Sequence, residues 1–203
     1  MEISTDQLMQ AGQSVLRRES DAILALQDQL DESFNKAVLM ILNCQGHVVV
    51  SGAGTSSSVA RRMAHLLNCV GAPAFFLGVD ESAHGSAATM TRQDVLIAIS
   101  KGGETDELNS LVRFAYQQEA GIIALTGKHE SSMAAMSDVV VCFVTPADAD
   151  GYGVIALGSS LAACAVGDAI CAAILSVRGY SAEFFLKIHP GGAVGKQLSG
   201  SRG

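Results

Sequence analysis

His47-Val-Val-Val-Ser-Gly-Ala-Gly-Thr-Ser-Ser-Ser58 and Asp94-Val-Leu-Ile-Ala-Ile-Ser-Lys-Gly-Gly-Glu-Thr105 decide the fold. Each is a short apolar run that ends in a turn rich in glycine and hydroxyl groups. Each turn opens a segment with helical spacing, the first reaching about Leu67 and the second running from Glu104 to Gln118. Further out, Pro73-Ala-Phe-Phe-Leu77, Gly121-Ile-Ile-Ala-Leu125 and Asp138-Val-Val-Val-Cys-Phe-Val144 read as three more strands, and Ser159 to Val177 as a long helix. Strands that alternate with helices imply a parallel sheet with right-handed crossovers. Strands that are apolar almost throughout imply that both faces are covered. The expected class is α/β, a three-layer α-β-α fold with a five-stranded parallel sheet and N-terminal helices.

The first 45 residues read as two helices. Leu8, Val15, Ala22, Ile23, Leu26 and Leu30 recur at helical spacing, with Ser4 or Thr5 as the first cap. Asp31 caps the second helix, whose apolar face is Phe34, Val38, Ile41 and Leu42, and Gly46 ends it. This segment, 1–45, is expected to pack on a domain formed by 46–203, the two making one structural unit.

Composition narrows the function. Of 203 residues 49% are hydrophobic, enough for a large core, so a disordered chain is excluded. Lys+Arg 13 against Asp+Glu 20, a net charge of -7, argues against a nucleic-acid partner. The five cysteines are odd in number and form no C-x-x-C, so they read as reduced thiols in a cytoplasmic protein and not as a disulfide or zinc framework. The acidic start, MEISTDQLMQ, does not read as a signal peptide. Leu161 to Val177 is almost wholly apolar, but it is short for a membrane span and carries Asp168, so a buried helix and no membrane partner are expected.

In an open parallel sheet, ligands bind beyond the carboxyl ends of the strands. The two turns, Gly52–Ser58 and Ser100–Thr105, stand at such ends and open helices, whose free N–H groups attract anions. A dinucleotide site fits poorly, because Ser57 replaces the third glycine of G-x-G-x-x-G, and no G-x-x-x-x-G-K-[ST] occurs. Two hydroxyl-rich turns in one sheet point to a small phosphorylated ligand, although such residues also serve as ordinary helix caps.

The stretches VVVSGAGTSSSVARRMA, GAPAFFLGVDESAHG, DVLIAISKGGETDEL, ALTGK, VGDAICAAIL and GYSAEFFLKIHPGGAVGKQL occur in the order and spacing of a known family. Over residues 47–199 the chain resembles the sugar-isomerase (SIS) domain, in the arabinose-5-phosphate isomerase branch, without its C-terminal CBS modules. The resemblance implies a flavodoxin-like topology, a sugar-phosphate substrate, aldose–ketose interconversion through an enediol, no cofactor, and a homo-oligomer, most simply a tetramer, with sites built between subunits. The alternative is a non-catalytic sugar-phosphate-binding module with a regulatory role.

The two turns and the start of the last helix, read together with the resemblance, give Gly54, Thr55, Ser56, Ser57, Ser100, Lys101, Gly103, Glu104, Thr105 and Ser159 as the substrate-binding candidates. Thr55 stands where the family has lysine, and Lys101 is an added cation in the second turn, expected to meet the ligand. Carboxylates and imidazoles suit the proton transfers of isomerisation. The catalytic candidates are His189, Glu107, His84 and Asp148, of which Asp148 falls at a family glutamate. Glu104 and Glu107 are read as lying in the first turn of a helix. His47, His65 and His129 have no such setting, and no spacing supports a metal site.

Overall fold

The structure, a computed structural model, describes residues 4–179 and 183–184. Strands β1 (Val48–Gly52), β2 (Ala74–Phe76), β3 (Val95–Ser100), β4 (Gly121–Thr126) and β5 (Val139–Cys142) form one parallel sheet in the order β2-β1-β3-β4-β5. All five expected strands are present, each within two residues of its expected bounds. Helices are α1 (Thr5–Leu24), α2 (Glu32–Leu42), α3 (Thr55–Cys69), α4 (Val79–Ala83), α5 (Asp106–Gln117), α6 (Ser132–Ala135) and α7 (Gly158–Arg178).

Alternate residues of each strand face opposite layers. Val50, Ile97, Ile99, Ile123 and Leu125 pack against Ile41 of α2, Met63 and Leu67 of α3, and Ile170 and Ile174 of α7. On the other side Leu96, Ala98, Ile122 and Ala124 meet Leu108, Leu111 and Val112 of α5 and Met133 of α6. The helix after β1 therefore lies on one face and the helix after β3 on the other. That makes the gap between the carboxyl ends of β1 and β3 the topological switch point of the sheet, where such folds bind ligands.

The helix starts follow the sequence. Gln7 N–H donates to Ser4 Oγ (3.4 Å), and Ser33 N–H donates to Asp31 Oδ1 (2.8 Å). Four details differ. The second helix stops at Leu42, before Gly46, whose N–H is already engaged by Gln93 O (2.8 Å). Helix α5 begins at Asp106, so Glu104 lies outside it, because Gly103 has a left-handed φ of 69° and Thr105 takes the cap position. On α1 only Ala22 is buried, and Leu8, Leu16 and Ile23 are exposed, so much of the apolar stripe faces outward.

The fourth detail concerns α7. At 21 residues it is long and apolar enough to cross a membrane by length and composition, longer than the expected segment. Its placement among α1, α2 and α3 buries Ala162, Ala163, Val166, Ile170 and Ile174. A Cβ on Gly167 would stand 3.3 Å from Met63 Sδ, so glycine lets α3 and α7 approach closely. Asp168 sits at the edge of that contact and holds Arg62 of α3 in a two-pronged pair, one bond of which is 3.0 Å.

Candidate functional site

The first turn leaves β1 at Gly52, which pairs with Ile99 of β3. A Cβ on Gly52 would lie 2.9 Å from Ser56 O and 3.0 Å from Ile99 O, so no larger residue fits. Gly54 follows at φ 54° and ψ −128°, a conformation open to glycine, and α3 starts at Thr55. Ser57 is used internally: its N–H and its hydroxyl both donate to Gly54 O, at 3.0 and 2.7 Å. The hydroxyls of Thr55 and Ser56 and the N–H groups of Gly54 and Thr55 have no partner among the described residues. They face a helix N-terminus with donors to spare.

The second turn is more closely built. Ser100 Oγ lies 3.2 Å from Thr105 Oγ1 and accepts the Gly103 N–H (3.1 Å). Gly103 O accepts from Met133 N–H (3.1 Å) and Asn109 Nδ2 (3.2 Å), which ties the turn to α6 and α5. The N–H groups of Gly102, Glu104 and Thr105 have no acceptor among the described residues, and a Cβ on Gly102 would meet nothing within 4 Å. Backbone donors around open space at the start of α5, rimmed by two hydroxyls, make a cup for an oxyanion. Glu104 turns away from it. Its Oε1 accepts the Ser132 N–H (2.8 Å) at the start of α6, and this bond to Ser132 holds the carboxyl below its usual range.

Lys101 does not reach into the cup. Its carbonyl accepts the Gly127 N–H (2.9 Å), and its side chain runs to Asp150, with Nζ 2.5 Å from Oδ2. The lysine side chain is 58% exposed and the aspartate 8%. Asp150 Oδ1 also accepts the Ser159 N–H (2.8 Å) in the first turn of α7. Burial pushes the Asp150 carboxyl up, but Lys101 and Ser159 outweigh it and hold the group below its usual range. The buried Ser159 hydroxyl adds to that field without reaching hydrogen-bond geometry. Asp150 was not singled out in the sequence, and it joins two residues that were.

The remaining candidates are dispersed. Glu107, exposed in the first turn of α5, lines a cleft of about 390 Å³ with Ser82, Ala83, Ala87, Asp106 and Ser110. His84 caps the C-terminus of α4 beside that cleft and is exposed. Asp148 is exposed and its Oδ2 is 3.7 Å from Arg18 Nε on α1, so its contact is with the N-terminal helix. His189 lies outside the described residues. Among the described residues, no three His, Cys, Asp or Glu side chains are grouped to hold a metal ion.

A family model, the SIS domain, matches residues 41–173. The chain belongs to the SIS family. The match runs from the end of α2 into α7 and so includes both turns and Asp150. Arabinose 5-phosphate isomerase KdsD of Salmonella typhi is 39% identical over 189 residues, 93% of this chain, and its counterpart in Escherichia coli K12 is 38% identical over the same length. The chain spans 58% of the length of these curated relatives. Two solved structures align closely with this chain. A candidate sugar-phosphate isomerase from Listeria monocytogenes has a TM-score of 0.90 at 30% identity, covering 94% of this chain and all of that one. A protein of Escherichia coli CFT073 in complex with arabinose 5-phosphate has a TM-score of 0.87 at 28% identity, covering 93% and 100%.

Proposed function

We propose that this SIS domain is a phosphosugar isomerase that interconverts the aldose and ketose forms of a phosphorylated sugar, with arabinose 5-phosphate as the nearest substrate. The observation that carries the reading is the Ser100–Thr105 cup, with unpaired N–H groups and two hydroxyls at the start of α5. The relatives about two-fifths identical are arabinose 5-phosphate isomerases, and they supply the reaction class.

In this reading the phosphate sits in the cup, and the Thr55 and Ser56 hydroxyls meet it from the first turn. The sugar extends toward the cleft that Glu107 lines. Glu107 takes the proton from C2 of the aldose and returns it to C1 of the enediol, so no proton is gained or lost overall. An imidazole, His189 or His84, moves the matching proton between the two sugar oxygens. Asp148 stays a candidate for that second task through its place in the resemblance. The reading also takes the protein as a cytoplasmic homotetramer. The exposed Leu8, Met9, Leu16 and Leu24 of α1 favour assembly.

One observation favours a second reading, a sugar-phosphate-binding module without turnover: Thr55 stands where the resemblance carries a lysine. A panel of pentose and hexose phosphates, assayed for turnover and for calorimetric binding on the same protein, separates the two. Turnover of arabinose 5-phosphate supports the isomerase, binding without turnover supports the module, and neither overturns both.

A further inference from the structure

We infer that Asn109 is a positioning residue for the phosphate: from the buried side of α5 it fixes the peptide plane whose N–H, that of Glu104, faces the oxyanion cup. The inference rests on the proposed function, in which the phosphate occupies the cup, and adds the residue that aims one of its donors.

In a planar trans peptide the C=O of one residue and the N–H of the next point in opposite directions. Two of the cup's unpaired donors therefore take their aim from the carbonyl behind them. The Gly102 N–H shares its peptide with Lys101 O, which accepts the Gly127 N–H (2.9 Å). The Glu104 N–H shares its peptide with Gly103 O, which accepts the Met133 N–H (3.1 Å) and Asn109 Nδ2 (3.2 Å). With each carbonyl turned inward, each N–H is turned out to the open side of the turn. The first peptide is anchored by a backbone donor just beyond β4. The second depends on a side chain. Gly103 has a φ of 69° and no Cβ to restrain it, and Met133 belongs to α6, only four residues long. Asn109, in the 12-residue α5, is the firmer of the two anchors.

The asparagine is poorly suited to packing. It is 6% exposed, and its buried neighbours on α5 are Leu108, Leu111 and Val112. Its Oδ1 is buried with no hydrogen-bond partner among the described residues. An unsatisfied buried amide oxygen costs stability, and an apolar side chain would not incur that cost. What the amide does supply is the bond to Gly103 O.

The test follows backbone amide resonances of the isotope-labelled full chain while arabinitol 5-phosphate, which has no carbonyl and does not turn over, is added to saturation. Calorimetry gives the affinity. In the wild type the Gly102 and Glu104 amide protons both move downfield. In Asn109→Ala the Gly102 shift persists, the Glu104 shift is lost, and affinity falls about tenfold. Asn109→Val, which also removes the orphaned oxygen, does the same without lowering the melting temperature. A folded variant that keeps the wild-type affinity and Glu104 shift overturns the inference. So does one in which both shifts fade together, the mark of a general loosening, and so does failure of both variants to fold, which would make Asn109 part of the framework. Wild-type protein in which Gly102 shifts and Glu104 does not overturns it independently of any variant. Wild-type protein that binds the probe with neither amide moving, or does not bind it, overturns the placement of the phosphate in the cup and this inference with it.

Discussion

Gly103 and Ser131 stand so close that a Cβ on Gly103 would lie 2.2 Å from Ser131 Oγ. That serine is the cap of α6, accepting the Ala134 N–H (3.2 Å), so the short helix is seated directly on the oxyanion cup. Gly103→Ala is expected to fail twice over, through its φ of 69° and through this contact. A left-handed alanine alone costs about 1–2 kcal/mol. The measurements are a denaturant midpoint and phosphate affinity, and both fall. An alanine variant of wild-type stability and affinity would show that the cup does not depend on this approach.

Glu104 illustrates how a family position can be occupied by a residue with another duty. Its carboxylate caps α6 through the Ser132 N–H. The expected outcome for Glu104→Gln is turnover close to wild type, since the amide oxygen still accepts that bond. Glu104→Ala loosens α6 and weakens phosphate binding through the cup, with kcat for bound substrate little changed. A collapse of kcat in Glu104→Gln would return this residue to the chemistry.

Asp94 sets an acid limit on stability. It is 7% exposed, and its carboxylate accepts from His47 N–H (2.6 Å), Thr91 N–H (2.7 Å) and Thr91 Oγ1 (2.9 Å). Burial pushes its carboxyl up, but the bonds from His47 and Thr91 outweigh that and hold it below the usual range. A carboxyl whose pKa is lowered by folding stabilises the protein above its unfolded value, about 3.9. The stabilisation is lost as the pH falls from there through the folded value. The melting temperature should thus be insensitive to this group from pH 8 to 5 and drop below about pH 4. Asp94→Asn should cost about 1–3 kcal/mol at neutral pH and flatten the acid drop.

Much of this was legible in the sequence, and the reason is local. Val48–Gly52 and Val95–Ser100 announce themselves as buried strands, and glycine with hydroxyls announces their turns, because backbone geometry and neighbouring residues set those features. Asp150 was not legible. In Ala147-Asp-Ala-Asp150 nothing local says which carboxylate turns inward. Asp150 is buried because Lys101 and Ser159 meet it, while Asp148, two residues earlier, points to Arg18. For the same reason Lys101 read as a ligand cation until its partner was in view. The outward stripe of α1 shows the same limit, since helical spacing reveals an apolar face but not what covers it.

That stripe leads to a prediction about assembly. Met9, Leu16 and Ile23, seven residues apart and so on one face of α1, are 64%, 68% and 41% exposed. An exposed apolar row on this scale marks a contact surface. Wild-type protein is expected to sediment as an oligomer at micromolar concentration, and Leu16→Arg to dissociate it. A wild-type mass equal to one chain would remove the tetramer from the reading.

Glu107 carries the sharpest test of the isomerase. It lies in the first turn of α5, four residues beyond Gly103, so the helix that opens the cup also fixes where this carboxylate stands. It is exposed and lines the cleft beside α4, with room for a small ligand between the two helices. It makes no hydrogen bond or ion pair to another described residue through its side chain, so the fold has no evident need of it. Glu107→Gln keeps the shape and removes the base. The expected result is a fall in kcat of about 100-fold or more, the scale of general acid–base catalysis, with KM and melting temperature close to wild type. Asp148→Asn, whose partner is Arg18, is the comparison: its loss of kcat should be smaller and should be accompanied by a change in the packing of α1. If Glu107→Gln turns over within a few-fold of wild type while Asp148→Asn does not, the carbon-to-carbon proton transfer belongs to Asp148. The sugar would then lie toward α1 and α7 and not in the cleft between α4 and α5.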